Sequence, residues 1–316
     1  MDILIITPAA HDSLSGNQIT ARRWAKILSQ LGHNTRIQQH YQGEQADVLI
    51  ALHAWRSAPS IKAFAHQQPH KPLLVALTGT DINHYLAAEP EITLHSLQLA
   101  DHLITLHDSL AQQLPQSLGS KCVTIFQSSR IIKRPRPAAR HFKVSMAGHL
   151  RREKDPFRCA DAARMLPTDS RIRIHHYGYA HSPLWAQQAR LHSAGNQRYH
   201  WHGGIKQHRW FEQLTHSDLL VLPSLNEGGA NVISESLVAS CPILASHIPG
   251  NIGLLGEDYP GYFAVEDTRQ LSRLLYRAET NTRFYRQLQR VCAAHKSQHS
   301  IHREQHAWRQ LLQQLK

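Results

Sequence analysis

The chain has 316 residues, 41% of them hydrophobic and 18% charged, with a formal net charge of +12. That length carries two domains of ~150 residues, each able to bury its own core, and the composition excludes a disordered or fibrous chain. There is no run of ~18 apolar residues, and no basic then apolar leader follows Met1, so neither a membrane span nor a signal peptide is expected and the location is read as cytoplasmic.

The four cysteines are scattered without a CxxC pair, which reads as reduced core residues and not as a disulfide frame or metal site. The 25 histidines include no HExxH spacing. His175 and His176 are neighbours on an expected strand, so their side chains point to opposite faces and cannot chelate together. No metal and no cofactor are expected. The positive charge calls for an anionic partner: nucleic acid, anionic lipid or a phosphorylated small molecule. Because the basic residues are dispersed, steering of small anions into a cleft fits best, with no nucleic acid partner and no stable membrane insertion. The oligomeric state is left open.

In chain order, residues 2–7 (DILIIT) form an apolar run of the buried parallel-strand kind. Gly16 and Asn17 then open a helix through Ala21, Trp24, Ala25, Leu28 and Leu31, closed by Gly32. This strand, glycine loop and helix present backbone amides to a ligand, but the full GxGxxG is absent, so no dinucleotide is expected. Strands TRIQQ, ADVLIALHA, PLLVALTGTD, DHLITL and KCVTIF follow, with helices near 60–66, 92–99 and 109–114 between the later ones. Such alternation reads as a parallel sheet covered on both faces, whose ligands bind beyond the carboxyl ends of the strands. Three loops there are equipped for binding: 15–17, 53–57 and 78–81. Each is equally explained by local turn chemistry; their shared placement favours a cleft.

The segment IIKRPRPAAR at 131–140, with two prolines and four basic residues, is the expected linker. It separates a domain at 1–135 from one at 141–300, and residues 301–316 form a terminal helix expected to pack back on the body. The second domain alternates again: FKVSMAG, RIRIHHYG, RYHWHGG, DLLVLPS and PILAS, with helices near 156–165, 183–192 and 208–214. The loop GHLRREKDP at 148–156 carries Arg151, Arg152 and Lys154 at a strand end, where Arg forks and a Lys point charge suit a diphosphate.

The most informative stretch is PSLNEGGANVISESLVASCPILAS at 223–246. Glu227 precedes Gly228, Gly229, Ala230 and Asn231, and the apolar positions Val232, Ile233, Leu237 and Val238 recur at helical spacing, so a helix starts near Ala230 with Glu235 inside it. The free N–H groups and positive dipole end of its first turn suit a phosphate, and a carboxylate there accepts hydrogen bonds from sugar hydroxyls. The alternative is a capped helix with two solvated glutamates.

Taken together, these stretches resemble the GT-B glycosyltransferases of family 4. EGGANVISE matches that family's E-x7-E element, with Glu227 first and Glu235 second, and GHLRREKDP resembles its G-R-L-x-x-E-K-G loop. Within that family the chain is similar to the selenosugar synthases (SenB) of selenoneine biosynthesis, through GNQITARRWAKILSQLGH, LIALHAWRSAPSI, ALTGTD, GHLRREKDPFR and the long stretch from EGGANVISE to GYF. The resemblance implies an α/β fold, GT-B, with two Rossmann-like domains facing each other across a cleft. It implies transfer of a sugar from a UDP-sugar such as UDP-GlcNAc to selenophosphate, leaving selenium on the anomeric carbon.

It also implies roles. Glu227, Lys154 and Arg151 take the catalytic positions. Gly148, His149, Arg152, Gly228, Gly229, Ala230, Asn231 and Glu235 take the donor side, with Glu235 on the ribose. For the acceptor anion, the amides of Gly16 and Asn17, Arg22 or Arg23, the loop Thr78, Gly79 and Thr80, and Arg56 in reserve are the candidates. Two departures stand out: His149 replaces the loop's usual Arg, and Thr78-Gly79 replaces a His-Gly pair. A selenium anion needs little deprotonation, so loss of a base fits that acceptor. Competing readings are a family 4 transferase with an alcohol or lipid acceptor, a salt-sensitive nucleic-acid binder and a non-catalytic sugar-nucleotide sensor.

Overall fold

A computed structural model describes residues 1–13, 15–130 and 140–315. The chain divides into two compact units. The first comprises Met1–Ser128, Glu227–Asn231 and Ile301–Lys316, and the second Ser129–Asn226 and Val232–Ser300. All of the expected linker except Arg140 lies outside the described residues.

The first unit begins with β1 (Asp2–Ile6), α1 (Gly16–Gln30), β2 (Asn34–Gln38), β3 (Val48–Leu52), α2 (Ala58–Gln67) and β4 (Leu73–Ala76). After a π turn at Asp81–Tyr85 come α3 (Leu86–Ala88), α4 (Pro90–Leu99), β5 (His102–Thr105) and β6 (Cys122–Thr124). The six strands are parallel in the order β2-β1-β3-β4-β5-β6. Their buried runs, Ile3 to Ile6, VLIAL and LLVA, lack polar alternation because helices cover both faces. Strand order reverses between β1 and β3, which places the loops after these strands, around Gly16 and His53, at the crevice beyond their carboxyl ends.

The second unit runs β7 (Phe142–Ala147), α5 (Arg158–Arg164), β8 (Ile172–Tyr177), α6 (Pro183–Ala194), β9 (Tyr199–Trp201), α7 (Gln207–Thr215), β10 (Leu219–Leu222), α8 (Asn231–Val238), β11 (Ile243–Ser246), α9 (Pro249–Leu255), β12 (Tyr262–Phe263), α10 (Thr268–Thr280) and α11 (Thr282–His295). Its sheet is parallel in the order β12-β11-β10-β7-β8-β9. Here the reversal falls between β7 and β10, so the loop at 148–156 and the residues just after β10, 223–226, share one switch point. Two parallel six-stranded sheets with helices are the α/β class expected from the alternating pattern.

The last helix, α12 (Ile301–Gln314), belongs to the first unit. Its Trp308 meets Trp24 of α1 edge to face at 5.0 Å, and Leu311 and Leu312 join the core beside Ile3 and Ile5. Glu304 is 1% exposed, yet its carboxylate accepts from Trp24 Nε1 at 2.8 Å, from Arg23 Nε at 3.2 Å, and from the backbone N–H and hydroxyl of Ser128. A buried charge is tolerated only when donors replace its hydration, as four do here.

Some local expectations differ. The helix expected at 109–114 is a 3-10 segment, Asp108–Gln113, and α5 starts only at Arg158, after a left-handed Asp155. The π turn, α9 and β12 carry no sequence signal of their own. All four cysteines are free, three of them buried. Among the described residues no helix is long and apolar enough to cross a membrane.

Trp308→Ala should destabilise the first unit by about 3–5 kcal/mol, the usual loss for a buried tryptophan. Calorimetric unfolding measures this; a loss below about 1 kcal/mol would show that α12 is not part of that core.

Candidate active site

The loop after β7 is built on a close backbone approach. A Cβ at Gly178, just beyond β8, would lie 1.9 Å from the Gly148 carbonyl oxygen, so only glycine fits there. That carbonyl accepts from His176 Nε2 at 2.8 Å, and His176 Nδ1 is 2.6 Å from the Tyr199 hydroxyl. A carbonyl only accepts, so Nε2 carries the proton and Nδ1 accepts from Tyr199. Burial pushes His176 down to about 4, which keeps the ring neutral. Lys154 folds over Gly148, its Cβ 3.6 Å from where a side chain would start. Arg151 Nε lies 3.9 Å from the Glu153 carboxylate, and Arg152 is exposed. His149 accepts at Nδ1 from the Tyr179 backbone N–H at 3.2 Å, with its ring beside Tyr179 and His181. It therefore does not present a cation where the resemblance places an arginine.

The Leu225 N–H donates to the Glu153 carbonyl at 2.9 Å, which joins this loop to the stretch after β10. In α8, Ile233, Leu237 and Val238 are buried as their spacing requires. Glu235 is 8% exposed and its Oε2 accepts from Trp210 Nε1 of α7 at 2.7 Å. The indole fixes the carboxylate's direction.

The residues just ahead, Glu227–Asn231, group with the first unit. The Glu227 carbonyl accepts from Asn83 Nδ2 at 3.0 Å. Gly228 meets Gly79 backbone to backbone: a Cβ at Gly79 would lie 2.5 Å from Gly228 N, and one at Gly228 2.2 Å from Gly79 Cα. Gly79 also has φ +122°. Gly229, at φ +134°, lies against Leu106, and Ala230 is buried. Asn231 donates from Nδ2 to Thr20 Oγ1 at 3.3 Å and, at the limit of 3.5 Å, to the Gly16 carbonyl, and accepts from Arg23 Nη1 at 2.7 Å. Gly16, Arg23, Gly79, Glu227, Gly228, Gly229 and Asn231 are thus brought together within one unit.

The Thr78–Thr80 loop differs from the expectation that its amides receive an acceptor anion. Asp81 is fully buried and accepts from the backbone N–H groups of Ala54, Thr78, Gly79 and Ile82 at 2.7 to 3.2 Å. The chain's own carboxylate occupies the nest, because a buried Asp without donors would be far costlier. His53, at φ +74°, accepts at Nδ1 from the Arg56 backbone N–H at 3.2 Å, so its Nε2–H donates to Thr80 Oγ1 at 2.9 Å. Burial holds its pKa below the ordinary value, with Asp81 opposing. Arg56 is exposed. Arg22, also exposed, donates to the His11 carbonyl, and Arg23 is committed to Glu304 and Asn231. Neither arginine is directed as expected. Gly16 and Asn17 form the first turn of α1, where Ser15 caps the Gln18 N–H.

Sequence reasoning missed His176, Gly178, Trp210, Asn83, Asp81 and Glu304. Only Asp81 left a legible signal: a TGTD loop places an Asp where it can cap the amides before it. Among the described residues no group of three His, Cys, Asp or Glu is placed to hold a metal ion.

Residues 127–292, more than half of the chain, match the family model described as glycosyl transferases group 1. No curated protein matches the chain in sequence. Several solved structures share the fold. Anabaena HepE in complex with UDP and glucose superposes with a TM-score of 0.78 at 13% identity, covering 99% of this chain and 100% of that one. Sucrose-phosphate synthase of Thermosynechococcus elongatus gives 0.79 at 15%, covering 99% and 98%. The pneumococcal O-GlcNAc transferase GtfA with UDP and GlcNAc gives 0.66 at 14%, covering 93% and 59%. The fold is that of these GT-B enzymes.

Two outcomes follow from this geometry. Gly79→Ala should reduce catalytic turnover at least 100-fold while leaving the second unit's unfolding transition in place; retention of full activity would show that the Gly79–Gly228 approach is dispensable. His176 is neutral when folded and has an ordinary pKa of 6.5 when unfolded. The unfolded state thus binds more protons between about pH 6.5 and 4, so the stability present above pH 6.5 is lost as pH falls through that window, by about 3 kcal/mol. Urea titrations of the wild type and His176→Gln across that window should show a flatter dependence in the variant.

Proposed function

The chain belongs to the group 1 glycosyl transferases, and on that premise we propose that it transfers a sugar from a UDP-sugar, such as UDP-GlcNAc, to selenophosphate. The bond from the anomeric carbon to the diphosphate breaks and a C–Se bond forms. The products are UDP and a sugar whose anomeric selenium carries the phosphoryl group. HepE and GtfA, solved with UDP, support the donor class. Lys154 and Arg151 meet the charge that grows on the leaving diphosphate, where a preorganised donor contributes ~3 kcal/mol. Glu235, aimed by Trp210, accepts from the ribose hydroxyls, and Glu227 faces the transferring sugar.

The observation that carries the acceptor is the state of the Thr78–Asp81 loop. Its carboxylate is saturated by backbone N–H groups, and the neighbouring His53 has both nitrogens engaged. Such a loop supplies no base to deprotonate an alcohol. An acceptor that arrives as an anion needs none. The stretches that resemble selenosugar synthases support the same chemistry.

Purified protein with a panel of UDP-sugars should release UDP in a selenophosphate-dependent manner, with the selenium-bearing sugar seen by mass spectrometry. Lys154→Ala should lower kcat about 100-fold or more, in line with loss of one preorganised cation. UDP release that ignores selenophosphate but responds to an alcohol would replace this acceptor with the ordinary one.

A further inference from the structure

We propose that Arg23 is a positioning residue for the Glu227–Asn231 turn, linking the buried carboxylate of Glu304 on α12 to the carboxamide of Asn231. This rests on the glycosyltransferase reading of that turn, and it assigns Arg23 a task other than holding the acceptor.

The link runs from a buried carboxylate to a half-buried guanidinium. The Glu304 side chain is 0% exposed and that of Arg23 is 17% exposed. Glu304 also takes Trp24 Nε1 and both donors of Ser128, so its carboxylate is fixed from two further points. Arg23 reaches it through Nε at 3.2 Å and turns Nη1 onto Asn231 Oδ1 at 2.7 Å. The orientation of the carboxamide follows from chemistry: a guanidinium only donates and the Gly16 carbonyl only accepts, so Oδ1 must face Arg23 and Nδ2 must face Gly16 and Thr20.

The turn needs such a hold. Gly228 and Gly229 lie between Glu227 and Asn231, and glycines lose the most conformational freedom on ordering. Asn83 fixes the Glu227 end through its carbonyl, and Arg23 fixes the Asn231 end. Between them Gly228 is pressed on Gly79. A planar fork can serve two acceptors lying in different directions, which a lysine ammonium on a flexible stem does poorly. Arg23 therefore acts on catalysis through Asn231 and the turn, not by touching the acceptor.

The test compares wild type, Arg23→Lys, Asn231→Ala and the double variant. Hydrogen exchange of the 227–231 segment is the first readout and needs no substrate. Exchange there should rise at least 10-fold in Arg23→Lys and in Asn231→Ala, which keeps the Arg23–Glu304 pair and so guards against simple misfolding of α12. The kcat of selenophosphate-dependent UDP release from the UDP-sugar is the second readout; it should fall about 10-fold in both single variants and no further in the double. The acceptor KM should stay within about twofold. Unchanged exchange at 227–231, a rise confined to the acceptor KM, or losses that multiply in the double variant would each overturn the proposal. A wild type that releases UDP from no UDP-sugar even with selenophosphate or an alcohol present would sink the donor reading, while the exchange measurement still decides the role of Arg23.

Discussion

The structure depends most on the approach of Gly79 to Gly228, where two backbones meet closer than any side chain permits. Everything around that contact makes it tolerable. Asp81 draws in the amides of Thr78 and Gly79 and so shapes the loop that presents Gly79. Asn83, two residues later on the π turn, holds the Glu227 carbonyl. A π turn is an irregular and locally unfavourable conformation, and such segments persist where surrounding contacts over-determine them. Here the contacts are those that place the first carboxylate of the E-x7-E pair.

Two buried carboxylates, Asp81 and Glu304, do comparable work in different places. Each is removed from water and each is saturated by donors, mostly neutral N–H groups, which is the only arrangement in which such a charge does not oppose folding by several kcal/mol. A buried hydrophobic pair would pack as well but would not be directional. Saturation by four donors fixes an angle as well as a position. Asp81 fixes a loop that faces Gly228, and Glu304 fixes the guanidinium that faces Asn231.

Much of this was legible in the sequence at the level of periodicity. The continuous apolar runs gave buried parallel strands, and the stripe Val232, Ile233, Leu237 and Val238 gave a helix, which starts at Asn231, one residue after the expected start. Both glutamates lie where the motif suggests, before that helix and inside it. The individual partners were not legible. Nothing local marks Trp210 as the donor to Glu235 or Glu304 as the partner of Arg23, since these pairs are 25 and 281 residues apart and form only on packing. For the same reason Arg22 and Arg23, adjacent and identical in type, could not be told apart: one is exposed on the His11 carbonyl and the other is committed inside. The TGTD loop misled in a specific way, because a sequence of turn formers looks alike whether its amides bind a ligand or the chain's own carboxylate.

The charge state of the 148–156 loop follows from where the histidines are put. His176 supports the Gly148 carbonyl from within the sheet, and burial lowers its pKa to about 4, so the ring is neutral at ordinary pH. A cationic ring at that point would add a buried charge at a large desolvation cost. Lys154 and Arg151 supply charge on the loop itself, where their side chains retain contact with water. A neutral ring therefore holds the Gly148 carbonyl across ordinary pH without a proton having to move.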